Sequence, residues 1–407
     1  MKKFLLAVFA LAAMSAGAFT LAPAAPTALE MANAKPVPED VMHKIIENAA
    51  RRVKQNGVRP VTKISDVEGA YSWAYQLASA RVVNPDTANI METGSKDVFI
   101  INADDDAASA QLLGMFDAPV TLTLDLTTYG APTLSFTANE IVSYATLSGS
   151  INCQCSIRGY MYLTAADNGV EADGWYYNTP IIFLLDDGTV GLPTNVWLSR
   201  YIVNSTNGTY NGYTLNPVWL PGSRLTEKQV EGKVGSFAYT YNGNNYTYPV
   251  TYTEDDTYKL TINNFGGYAT NPAYIQLKED KTWEAELTVL SVNDNGSYTL
   301  YAATATAPTT SNLTGTGDET TLTSDTNWCT YDAQTRYWQG SRGAFTMTGE
   351  FVWPGNTAVE GVNAVKSVSS VKYVNIAGQV SANPFSGMNV VITNYTDGTQ
   401  SVAKVIK

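Results

Sequence analysis

Histidine is almost missing from this chain: there is one, His43, in 407 residues. A Ser-His-Asp or Cys-His centre needs a histidine beside its nucleophile, and His43 lies in a helical segment outside the strand-rich body. Histidine-based zinc sites fail for the same reason, and no metal site is expected. Cysteine is scarce too. Cys153, Cys155 and Cys329 are too few, and odd in number, for a disulfide-built scaffold. Cys153 and Cys155 share one face if they lie on a strand, and either could pair with Cys329 in an oxidising compartment. Charged residues make up only 15%, and their balance is acidic, -12 overall. That balance argues against nucleic acid, whose phosphates need Lys and Arg, and against attraction to anionic lipid. No glycine-rich phosphate loop appears, so no cofactor is expected. No apolar run is long enough for a transmembrane span.

What is present favours strands. Aromatics reach 11%, with 25 Tyr, and hydrophobic residues 44%. Residues 1–18 read as a secretory signal peptide. Lys2 and Lys3 are its charged start, residues 4–13 its short apolar core, and Ala16-Gly17-Ala18 its cleavage pattern. Ala32-Asn33-Ala34 offers a second cleavage pattern. A leader, 19–63, carries one amphipathic helix over 39–55. Val41, Ile45, Ala49 and Val53 recur every four residues, with Met42, Ile46 and Ala50 beside them. Glu39 and Asp40 open this helix, Arg51, Arg52 and Lys54 close it, and Gly57 stops it. Its stripe is expected to pack on a later domain.

From about residue 64 the apolar period becomes two, most clearly over 120–126 (Val-Thr-Leu-Thr-Leu-Asp-Leu). Asp186-Asp187-Gly188, Asn207-Gly208, Asn242-Gly243 and Asn295-Gly296 signal turns between short strands. Three segments recur in order. Residues 67–75 match 230–239, 98–102 match 259–263, and 159–163 match 296–300. The expectation is an all-β protein with two tandem homologous antiparallel domains, 64–222 and 223–353, with the boundary near residues 221–228. Each is a sandwich or a barrel. A linker, 354–370, then leads to a small β-unit at 371–407.

Two resemblances add to this. In the last unit, residues 373–379 (Tyr-Val-Asn-Ile-Ala-Gly-Gln), 384–392 and 397–399 are followed by a Lys404-Val405-Ile406-Lys407 end. They resemble the C-terminal sorting domain of type IX secretion substrates. Gly378, Pro384, Gly387, Asp397, Gly398, Lys404 and Lys407 carry the pattern; Met388 and Asn389 depart from it, because a Tyr often follows the Pro-x-x-Gly. The resemblance implies an export address read by outer-membrane machinery. Separately, Gly69-x-Tyr71 and Gly235-x-Phe237 at the start of each repeat resemble the Gly-x-Trp opening of calycin or lipocalin-like barrels, with Tyr and Phe in place of Trp. That implies an aromatic plug at a closed barrel end and a barrel able to enclose a small apolar ligand.

The aromatics are the better functional lead. Trp175, Tyr176 and Tyr177 in the first repeat, and Trp328, Tyr331, Tyr337 and Trp338 in the second, could stack on sugar rings or pack in cores. The acidic clusters Asp104-Asp105-Asp106 and Asp186-Asp187 read first as turns, then as calcium ligands or glycosidase carboxylates. The function expected is a secreted or cell-surface, non-catalytic binding protein for a glycan or small apolar molecule. The alternatives are an adhesive surface protein and a carbohydrate-active enzyme.

Overall fold

The structure is a computed structural model that describes residues 26–78, 90–137, 139–178, 181–193, 195–215, 218–219, 221, 223–293, 296–355, 368–375, 377–395 and 400–406. The expected signal peptide, Asn295, Asp397, Gly398 and Lys407 lie outside the described residues. The chain divides into two units, Met1–Trp353 and Pro354–Lys407.

The first unit opens with α1, Ala28–Asn33, started by a capping box. Thr27 Oγ1 accepts from the Glu30 N–H (3.2 Å) and Glu30 Oε2 accepts from the Thr27 N–H (2.8 Å). A short strand, β1 (Lys35–Pro36), follows, and then α2 (Glu39–Asn56). Gly57, at φ 108°, ends α2 where an L side chain would be strained. Val41, Ile46, Ala50 and Val53 are its buried stripe. Ile46, Ala50 and Val53 pack on Ala131, Ile182 and Leu184, so the helix covers the outside of a β-barrel.

That barrel has eight strands. Its first five are β2 (Gly69–Ala78), β3 (Ile90–Asp104), β4 (Ser109–Leu113), β5 (Val120–Asp125) and β6 (Thr133–Phe136), each antiparallel to the next. Then come β7 (Ser143–Leu147), β8 (Ile151–Leu163) and β9 (Gly174–Asn178), which leave the barrel. The wall resumes with β10 (Ile182–Asp186) beside β6 and β11 (Thr189–Gly191) beside β10. Next, β12 (Trp197–Ser205) and β13 (Val218–Trp219) leave it again. Finally β14 (Arg224–Glu227) pairs both β11 and β2 and closes the ring. Alternation explains β5: Val120, Leu122 and Leu124 point to the core. In β10 every apolar residue is buried, because Phe183 and Leu185 face the core while Ile182 and Leu184 face α2.

The second barrel repeats the plan. Its wall is β15 (Lys233–Tyr241), β16 (Asn244–Glu254), β17 (Lys259–Asn263), β18 (Ala273–Leu277) and β19 (Thr282–Ala285), then β22 (Thr314–Gly317), β23 (Thr321–Ser324) and β26 (Phe345–Thr348). The excursions are β20 (Val289–Asn293) with β21 (Gly296–Ala303), and β24 (Asn327–Asp332) with β25 (Tyr337–Trp338). In both barrels they leave after the fifth and the seventh wall strands. In both, the two excursions pair with each other, β8 with β12 and β21 with β24. The interior is filled with rings. Phe237 lies 4.4 Å, centroid to centroid, from both Phe265 and Phe345, and Trp283 lies 5.4 Å from Phe345. All four are fully buried.

This topology refines the sequence matches. Gly69-x-Tyr71 and Gly235-x-Phe237 occupy the same place on the first strands β2 and β15, and 159–163 and 296–300 occupy equivalent strands β8 and β21. The middle match does not hold. Residues 98–102 lie on β3, the second wall strand, whereas 259–263 form β17, the third. Alternating apolar residues ending in Asn recur on any half-buried strand and do not mark position. Of the sandwich and the barrel, the structure has the barrel.

The second unit is one sheet, ordered β28-β27-β29-β30. Its strands are β27 (Val368–Asn375), β28 (Val380–Ser381), β29 (Met388–Tyr395) and β30 (Gln400–Ile406). Asn389, fully buried, explains the Pro384 to Gly387 turn. Its Oδ1 accepts from the Phe385 N–H (2.8 Å), and its Nδ2 donates to the carbonyls of Phe385 (2.7 Å) and Gly387 (2.9 Å). Gly378 and Gly387 take left-handed φ values of 77° and 93°.

Barrel closure predicts where the first domain ends. A fragment of residues 26–222 lacks β14 and leaves β2 and β11 unpaired along that stretch; it is expected to be protease-labile. A fragment of 26–230 is expected to resist limited proteolysis. Equal lability of both would contradict closure by β14. In the full chain, Phe237→Ala is expected to cost about 3–5 kcal/mol in urea unfolding, the usual range for a truncated core Phe.

Candidate functional site

The two barrels meet through a few polar contacts. The Thr247 N–H donates to the Asp117 carbonyl (3.0 Å), and the Tyr144 hydroxyl donates to the Asn245 carbonyl (2.7 Å). The rings of Tyr144 and Tyr246 lie 5.0 Å apart. Gly114 sits at the closest approach. Its φ is 86°, and a Cβ there would come within 2.6 Å of the Asp97 carbonyl and 2.8 Å of Pro249 Cγ.

Beside this junction lies a cleft of about 1080 Å³, lined by both barrels and by the 228–231 connection. Its apolar wall comes from the first barrel: Leu77, Phe99, Met115, Phe116 and Trp219. Trp219 is held by an edge contact with Phe116 (5.6 Å) and by Trp73 (6.1 Å). From the second barrel, Tyr248, Pro249 and Thr251 of β16, Asn263 at the end of β17 and Asn264 line the cleft. Burial, the nearby Tyr239 and the Asp117 carboxylate push the Tyr248 phenol far up, so it stays protonated.

The ionic groups of the cleft are mostly committed. Lys228 Nζ lies 2.6 Å from each Asp97 carboxylate oxygen. Asp117 Oδ2 accepts from Ser143 Oγ (2.8 Å) and the Tyr144 N–H (2.9 Å). Glu92 accepts from the Tyr75 hydroxyl (2.6 Å), which raises the Tyr75 phenol to about 12. Lys96 lies 5.7 Å from the centroid of the Tyr75 ring. Lys96, Glu231 and Arg200 form no ion pair among the described residues, and Arg200 Nε is enclosed with no hydrogen-bond partner. β12 positions it: Arg200 stands opposite Ile157 of β8, on the face that also carries Cys155 and Ile202.

The aromatics singled out from the sequence are elsewhere and are not brought together. Trp175 is buried with Met31, Tyr160 and Trp197 under α1. Tyr176 belongs to the first barrel's core, its hydroxyl donating to the Ala172 carbonyl (2.9 Å). Tyr177 covers the Arg158 guanidinium at 4.3 Å. Trp328 is fully buried against Phe237 (5.6 Å) and Tyr239 (5.2 Å). Tyr337 is exposed, and Trp338 is half-buried opposite Tyr331 on the small side sheet. Nothing in the spacing of Phe116, Arg200, Trp219 and Tyr248 joins them; only the fold does.

The remaining sequence candidates resolve simply. All three cysteines are free and buried, and desolvation raises their thiols, that of Cys329 to about 11. His43 is half-exposed, 4.0 Å from Glu47. Asp104 accepts from the N–H groups of Asp106 and Ala107 in a turn, and Asp105 accepts from Ser65. The two-residue turn Asp187-Gly188 joins β10 to β11. Among the described residues no three His, Cys, Asp or Glu side chains form a metal-binding group, and no helix is long and apolar enough to cross a membrane.

A second hollow, about 510 Å³ and shallower, holds Glu254, Asp255, Asp256 and Lys233. Glu254 Oε1 is buried without a hydrogen-bond partner, and burial raises its carboxyl above the ordinary value.

No family model matches this chain, and no curated protein matches it. Among solved structures it is similar to a DUF3598-family protein of unknown function from Nostoc punctiforme. The identity is 10%, the match covers 70% of this chain and 96% of that one, and the TM-score is 0.17.

Glu254 generates a pH prediction. A carboxyl with a raised folded-state pKa binds its proton more tightly when folded, so stability falls as pH climbs above about 4.3 through the raised value. Glu254→Gln is expected to melt higher than the parent at pH 7 and at the same temperature near pH 3.5. A lower melting temperature at pH 7 would contradict it.

Proposed function

We propose that this chain is an exported, non-catalytic binding protein that takes a small, largely apolar ligand in the cleft between its barrels. The observation that carries this is where the space lies. The second barrel is filled by Phe237, Phe265, Trp283 and Phe345, while an aromatic-walled hollow opens between the domains. Three of the cleft's four carboxylates, Asp97, Asp117 and Glu92, are each held by a partner within the protein, which supports a binding role rather than catalysis.

A second reading, glycan stacking, rests on the small side sheet. There Tyr331 and Trp338 face each other across β24 and β25, and Tyr301 lies 6.1 Å from Tyr331, all half-buried on one face. Export is proposed from the signal-like start and the sorting-like C-terminal unit, with the export machinery as the partner of that unit.

Calorimetric titration with 2-naphthylmethanol, an uncharged aromatic probe, tests the cleft. Binding is expected in the wild type and is expected to weaken about tenfold in Trp219→Ala, as befits one lost aromatic wall. Binding unchanged by that substitution but lost in Trp338→Ala would favour the side sheet instead. Deleting residues 371–407 is expected to leave the barrels folded and the protein mislocalised. Unchanged surface display after the deletion would contradict the sorting role.

A further inference from the structure

Arg200 is partly buried, with its Nε shut off from water and unpartnered. A guanidinium that loses water to its surroundings and gains no partner is destabilising, so buried unpaired polar groups are rare and call for a cause. Its Nε is enclosed and unbonded, and Arg200 lines the cleft with no ion pair among the described residues, while other charges there are held: Lys228 by Asp97, and Asp117 by the Ser143 hydroxyl and the Tyr144 N–H. Phe116 and Trp219 line the same cleft as Arg200. Arg158 Nε and Arg342 Nη1 are also enclosed without a partner, but the rest of each of those guanidiniums is engaged within the protein. Arg158 is sandwiched by Tyr177 and Tyr201, Arg59 pairs with Glu227 and Tyr71, and Arg342 bonds Tyr268 and Gln339.

Building on the cleft reading above, we infer that the ligand carries a single carboxylate on an apolar, ring-bearing body, and that Arg200 is the residue that recognises the acid. The planar fork of a guanidinium matches a carboxylate in two hydrogen bonds, which an ammonium cannot do. The wall also sets an upper limit on ligand charge. Glu92, Asp97, Asp117 and Glu231 all border the cleft, so a doubly charged phosphate ester meets more repulsion than one cation relieves. The carboxylate at Arg200 and rings against Phe116 and Trp219 define an amphipathic monoacid. Uncharged sugars offer this cation no counter-charge and fit the arrangement poorly.

The test is calorimetric titration of the full chain with 2-naphthoate, 2-naphthylmethanol and 2-naphthyl phosphate. In the wild type the carboxylate is expected to bind about tenfold or more tighter than the alcohol, the worth of a charge-assisted hydrogen bond. The phosphate is expected to bind more weakly than the carboxylate. Arg200→Met should abolish the acid's advantage and leave alcohol binding intact, which also shows that the variant keeps its cleft. Arg200→Lys should restore only part of the preference. If alcohol and acid bind the wild type equally, or if the acid's preference survives Arg200→Met, the inference is overturned and the cleft reading stands. If phosphate binds best, the single-charge assignment is overturned. If no probe binds, the inference falls together with the cleft reading.

Discussion

Phe237 stands at the centre of what the second barrel can and cannot do. It sits on the first strand, two residues after Gly235, with Phe265, Phe345 and Trp328 on its ring faces and edges. An eight-stranded barrel has an interior wide enough for side chains or for one small ligand. These rings take that volume, and buried aromatics supply much of the stability of a charge-poor domain. The first barrel follows the same rule with Tyr71, Val98, Leu112, Leu122 and Leu134. Once the interiors are committed to packing, the open space lies outside them, at the seam between the barrels.

The duplication makes that seam. Each barrel sends out its excursions after the fifth and seventh wall strands and pairs them into a side sheet. The copies then diverge. In the first, the side sheet is larger and reaches the barrel wall through β13, whose Trp219 stands opposite Leu77 of β2. That link places Trp219 and Arg200 on the border with the second barrel. In the second copy, the side sheet instead caps its own barrel, with Trp328 over Phe237 and Phe265. One architecture thus yields a cleft wall in one copy and a plug in the other.

Much of the fold is legible in the sequence, and the reason is local. Alternation over β5, the Asn242-Gly243 turn between β15 and β16 with both residues at positive φ, and the four-residue period of α2 are set by neighbours in the chain. Two of the three repeat matches mark equivalent strands, the Gly-x-aromatic starts on β2 and β15 and the segments 159–163 and 296–300 on β8 and β21. The third fails because apolar alternation carries no address. The site was not legible. Trp175, Tyr176 and Trp328 stand out by type but serve packing, whereas Trp219 lies on a two-residue strand with no periodicity to announce it. Arg200 looks like any strand cation until the fold sets it on the cleft with no carboxylate paired to it among the described residues.

The account turns on ligand lying between the barrels and not within them. Crystals grown with 6-bromo-2-naphthoate test this directly through the anomalous signal of bromine. The expected result is one peak beside Phe116 and Trp219 with the carboxylate toward Arg200. A peak inside either barrel, or on the Tyr331 and Trp338 face, would contradict it.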